Sequence, residues 1–72
     1  MRKKWIENCD LIAEHVKNVP GHLVGVAFDD DAKADAFLEY WNEHHPHVEM
    51  VDRQNLIGRY IFIRVRLKGA LQ

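Results

Sequence analysis

Apolar residues recur at helical spacing near the start of the chain. Trp5, Cys9, Ile12 and Val16, flanked by Ile6 and Ala13, share one face, while Glu7, Glu14 and Asn18 lie opposite with Leu11 left exposed. This pattern predicts an amphipathic helix over residues 3–18, stopped by Pro20-Gly21. His22 to Phe28 is a β-rich run too short for a stable helix and bounded by turn residues. Asp29-Asp30-Asp31 then offers an N-cap and first-turn acids for a second helix of about fifteen residues. Its buried stripe is Ala34, Phe37, Leu38 and Trp41, and Pro46 ends it. Residues 48–53 and 59–67 read as two strands, joined by a hairpin loop that contains Asn55 and Gly58.

The order α-β-α-β-β, with a right-handed crossover followed by a hairpin, places the third strand between the other two. The expected fold is a single α+β domain over residues 1–72, a two-layer sandwich. Its three-stranded sheet runs in order 1-3-2, with strand 3 central and antiparallel and both helices on one face. That is half of a ferredoxin-like sheet, a likeness of fold that carries no function. Alternation in the third strand sends Ile61, Ile63, Val65 and Leu67 toward the helices, together with Val24, Val26, Phe28, Val48 and Met50. The other sheet face then shows Tyr60 and Phe62 beside Gly25 and Ala27, ringed by Arg53, Arg64, Arg66 and Lys68.

Composition narrows the function classes. At 72 residues, 47% apolar and 29% charged, the chain is an ordinary globule whose core leaves little room for an enclosed active site. It has no serine and no threonine, which removes serine and threonine nucleophiles and N-glycosylation sequons together. A single cysteine forbids an intrachain disulfide and suits a reducing, cytoplasmic setting. The longest apolar run, residues 23–28, is far short of a membrane span, and Glu7, Asp10 and Glu14 interrupt what would be the apolar part of a signal peptide.

Charge is segregated along the chain. Residues 1–4 carry +3, residues 5–52 carry −9 and residues 53–72 carry +5, although the net charge is only −1. Two surfaces follow from this. Asp31, Asp35, Glu39 and Glu43 recur every four residues on the second helix, opposite Phe37, Leu38 and Trp41, with Lys33 as the helix's one lysine. Four residues rise about 6 Å, near the spacing of phosphates once the lateral sweep of a nucleic-acid backbone is included. Such a row can stand in for phosphates on a basic protein surface. The second surface is the sheet face, where Tyr60 and Phe62 could stack bases while Arg53, Arg64, Arg66 and Lys68 contact phosphates. Residues 59–65 loosely resemble the RNP1 strand of RNA-recognition motifs, but lack its internal glycines and its full aromatic pattern. The same face is also a candidate homodimer interface.

Three other candidates carry less chemistry. His44-His45-Pro46-His47 has no metal-ligand spacing and reads as a helix end complementing the macrodipole. Cys9 lies within an apolar stripe, where cysteine behaves as a small hydrophobe. The acids are solvated, and no glycine-rich phosphate loop is present. The expectation is therefore a non-enzyme with no metal or cofactor, a small interaction module or inhibitor of the phage or mobile-element type. It would dock a basic, nucleic-acid-binding protein through Asp31, Asp35, Glu39 and Glu43. The alternative is a single-stranded nucleic-acid binder using the sheet face.

Overall fold

The computed structural model of the chain describes residues 3–56, 58 and 60–69. The elements are α1 (Lys4–Asn18), β1 (Val24–Phe28), α2 (Asp31–His44), β2 (Val48–Asn55) and β3 (Ile61–Leu67), the expected α-β-α-β-β order. The Asp30 carboxylate accepts the Lys33 N–H at 2.8 Å, satisfying one of the donors that every helix start leaves over. α2 closes where the His45 N–H reaches the Trp41 carbonyl at 2.7 Å. After α1 the chain reverses at Gly21, whose φ of +87° only glycine adopts without strain. The expected start of the third strand at Arg59 lies outside the described residues.

The sheet order is β1-β3-β2, with both pairings antiparallel. Ile61, Ile63 and Val65 of the central strand are buried, and they meet Cys9, Ala13 and Val16 of α1, Ala34, Phe37 and Trp41 of α2, and Phe28 of β1. Val24, Val26 and Phe28 lie directly opposite Val65, Ile63 and Ile61, on the same face. On the other face Phe62 lies against Gly25. A Cβ at residue 25 would come within 2.4 Å of the Phe62 ring, so the glycine is what lets that ring lie flat on β1.

β2 departs from plain alternation. Val48, Glu49 and Met50 oppose Leu67, Arg66 and Val65, but the next pairing is Asp52 with Arg64. Val51 is an extra residue, a β-bulge, and beyond it the two faces of β2 exchange. Arg53 therefore lies opposite Ile63 on the helix side, and Asp52 lies opposite Arg64 on the open side. The expected place of Arg53 among the open-face arginines is corrected accordingly. Met50 keeps its expected face opposite Val65 but is 44% exposed, since β2 is an edge strand.

The two helices run side by side with residues 5 and 9 of α1 near residues 37 and 41 of α2. The Trp41 indole N–H donates to the Cys9 carbonyl at 3.0 Å, so the largest buried side chain leaves no polar atom unsatisfied. Tyr40 Oη donates to the Asp10 carboxylate at 3.1 Å, and the His47 ring Nε2 donates to the Ala13 carbonyl at 3.0 Å. Trp5 was expected in the core beside Phe37 and Trp41. It is only half-buried, with its ring 5.9 Å from Phe37 and 5.8 Å from Tyr40.

Trp41 is 1% exposed, and its truncation to alanine is expected to remove about 3–5 kcal/mol. A domain this small has roughly that much in total, so Trp41→Ala should lose its cooperative urea transition. Trp5→Ala, at the rim, should keep a measurable midpoint.

Candidate interaction surfaces

The acidic row on α2 forms as the spacing predicts, but its cations come from another strand. Arg53 reaches from β2 and donates to Asp35 Oδ1 and Asp31 Oδ1, each at 2.8 Å. The two carboxylates remain 66% and 74% exposed, while the arginine side chain is 28% exposed. The guanidinium thus sits behind the row and holds its N-terminal half in place. Asp35 and then Asp31 push the guanidinium pKa further up. Lys33 pairs with Asp29 at 2.9 Å, one turn earlier. The lysines missing from the helix sequence are replaced by one arginine that the bulge delivers.

Glu39 and Glu43 complete the row. Glu43 lies 3.2 Å from the His44 ring nitrogen. Glu39 stands on the rim of an open cleft of about 440 Å³ between α2 and the edge of β2, floored by Leu38, Trp41, Val48 and Met50. This apolar floor under an acidic rim was not anticipated. The signal for it was the Met50-Val51 doublet, which breaks the polar–apolar alternation of β2 where the bulge sits.

The open sheet face is less basic than the residue types imply. Arg64 grips Asp52, its direct cross-strand neighbour, with Nε 2.9 Å from Oδ1 and Nη2 on Oδ2. That pair holds the Asp52 carboxyl below its usual range and raises Arg64. Arg66 faces Glu49 at 3.4 Å, again directly across the ladder. Tyr60 is 50% exposed just before β3, Phe62 is half-buried over Gly25, and Lys68 is exposed just after the strand. Of the six residues expected on this face, Arg53 is elsewhere and two arginines carry acidic neighbours.

The histidines point to separate partners. His45 Nε2 lies 2.8 Å from Asp10 and His47 donates to Ala13, while His15 and His22 form an edge-on ring pair with centroids 5.5 Å apart. Among the described residues no group of three or more His, Cys, Asp or Glu side chains could hold a metal ion. Cys9 is fully buried, and burial, followed by the charge of Asp10, pushes its thiol up to about 12. No helix among the described residues is long and apolar enough to cross a membrane.

An apolar groove of about 1130 Å³ opens on the far side of α2 from the acidic row. It runs between the N-terminal halves of α1 and α2 and past β1, with Trp5, Leu11, Ile12, Val26, Phe28 and Phe37 along it. No protein-family model matches the chain, and neither a curated protein nor a solved structure matches it significantly.

Two measurements check these placements. With its folded pKa depressed, Asp52 contributes stability that is present above its unfolded value of about 4. That contribution is lost as pH falls through the folded value. Asp52→Asn should therefore unfold at a milder denaturant concentration near neutral pH and show a flatter loss of stability below about pH 4 than the parent. The Cys9 thiol, protonated and enclosed, should resist alkylation by iodoacetamide in the native protein at about pH 8 and react once urea unfolds it.

Proposed function

We propose that this chain is a non-catalytic protein-interaction module that engages a basic partner along the α2–β2 side. One observation carries the reading: Glu39, within the acidic row of α2, stands on the rim of a cleft with Leu38, Val48 and the half-exposed Met50 beneath. A segment that interleaves lysine or arginine with an apolar residue satisfies both parts of that surface. Arg53 offsets charge at the Asp31 and Asp35 end, so the net negative field is strongest around Glu39 and Glu43. Ordered Asp31 and Asp35 carboxylates lose little rotamer freedom when a second cation arrives, which supports their use as the flank of the site. A basic groove that normally receives a phosphate backbone is the partner surface this row fits, and occupying it would make the chain an inhibitor of a nucleic-acid-binding protein.

The test uses a fluorescent peptide of alternating lysine and leucine as the basic probe and a fluorescent single-stranded oligonucleotide as the competing one. The peptide should bind at low salt and release as salt rises. Glu39→Lys with Glu43→Lys should weaken it at least tenfold, with the circular dichroism unchanged. Asp35→Lys should both weaken binding and lower the melting temperature, because it sets a second cation against Arg53. Tyr60→Ala with Lys68→Glu should leave peptide binding intact. If only the oligonucleotide binds, and the Tyr60 and Lys68 changes abolish that binding, the function moves to the open sheet face.

A further inference from the structure

We propose that a second copy of this chain docks on the free edge of β1, joining two three-stranded sheets into one of six strands. The two edges of the sheet are built differently. β2, one edge, carries a bulge and the charges of Glu49, Asp52 and Arg53, which are devices that stop a strand edge from pairing. β1, the other edge, is Val24-Gly25-Val26-Ala27-Phe28, with no charge, no proline and a regular register against β3. The apolar groove lies alongside it. Three consecutive residues, Val26, Ala27 and Phe28, line that groove although their side chains alternate between faces, so it reaches the strand's backbone edge.

Self-pairing of β1 follows from its alternation. In a two-fold antiparallel pair, residues directly opposite must share a face, so inward residues meet inward residues. The register that does this and uses the whole strand is centred on Val26, with Val24 opposite Phe28 and Gly25 opposite Ala27. Extending it places the exposed Leu23 against Asp29 of the other copy, and His22 against Asp30. That juxtaposition is complementary in charge when the histidine is protonated. Both grooves then face the seam, with Leu11, 68% exposed, at each lip. A narrow side of a molecule 34 × 32 × 16 Å across offers roughly 500 Å² per partner, close to the ~1,000 Å² total that a specific interface requires.

Sedimentation equilibrium from about 1 μM to about 1 mM reads the association directly. A monomer–dimer equilibrium is expected within that range. Val26→Cys should cross-link under mild oxidation, because the two residues 26 meet at the axis. Ala27→Cys should not, because its two copies lie beyond the ~7 Å limit for a bridge, and buried Cys9 stays silent in both. Leu11→Lys should weaken the dimer at least tenfold. A signed pair at an exposed position guards against mere loss of apolar surface: Leu23→Glu, facing Asp29, should weaken association more than Leu23→Lys. A chain monomeric throughout the range overturns the proposal and leaves the groove to a segment of another protein. A dimer that ignores Leu11→Lys and fails to bridge at residue 26 also overturns it, and assigns the interface to the open sheet face.

Discussion

Side chains on a strand change face with every residue, so a single extra residue reverses everything beyond it. Val51 is that residue in β2. Without it, Asp52 would point under the helices beside the apolar core, and Arg53 would join the arginines on the open face. With it, Asp52 meets Arg64 across the ladder and Arg53 passes under α2 to hold Asp31 and Asp35. Both charged surfaces of the molecule depend on this one bulge. It also twists the edge of β2 and helps keep that edge from pairing, which β1 has no comparable means to do.

A second constraint shapes the helix layer. Four polar side chains at or just beyond the C-terminal end of α2 land on the Cys9–Ala13 stretch of α1: Trp41 on the Cys9 carbonyl, Tyr40 and His45 on Asp10, and His47 on the Ala13 carbonyl. These contacts draw the helices together at that end. At the other end the neighbours are Lys4, Trp5 and Asn8 of α1 with Lys33 and Phe37 of α2, and there the layer opens into the groove. Trp5 is half-buried for this reason. Its ring has neighbours on the Phe37 and Tyr40 side and borders the groove on the other. Of the histidines that look like a loose metal motif, His45 and His47 are parts of this latch, on Asp10 and the Ala13 carbonyl, while His44 faces Glu43 on its own helix.

Most of the fold was legible from the chain. Helical spacing of Cys9, Ala13 and Val16, alternation of Ile61, Ile63 and Val65, and the aspartate cap of α2 each act locally, so local pattern is enough to find them. The sheet order followed from chirality and the short hairpin. Besides the α2–β2 cleft, two side-chain placements were not legible. The depth of Trp5 depends on how far two helices splay, which periodicity does not encode. The side taken by Arg53 depends on counting residues through a strand, where one insertion reverses the answer. Met50-Val51, two apolar residues in a row within an alternating segment, marked the place, but a plain two-residue period reads such a doublet as noise.

The same bulge changes what the charge distribution means. Along the chain, acids dominate residues 5–52 and bases dominate the last twenty, which suggests a dipolar surface. In space, β2 and β3 bring the basic C-terminal stretch back across the acidic one. Arg53 settles behind Asp31 and Asp35, Arg64 on Asp52 and Arg66 opposite Glu49. Exposed pairs of this kind stabilise a fold only modestly, but they set three of the C-terminal arginines against four of the acids and so offset part of the segregation seen along the chain. Within the α2 row, the charge that Arg53 does not offset lies around Glu39, on the rim of the α2–β2 cleft. Under the proposed function, partner choice rests on the short acidic segment around Glu39 beside an apolar floor, because Arg53 offsets the other end of the row.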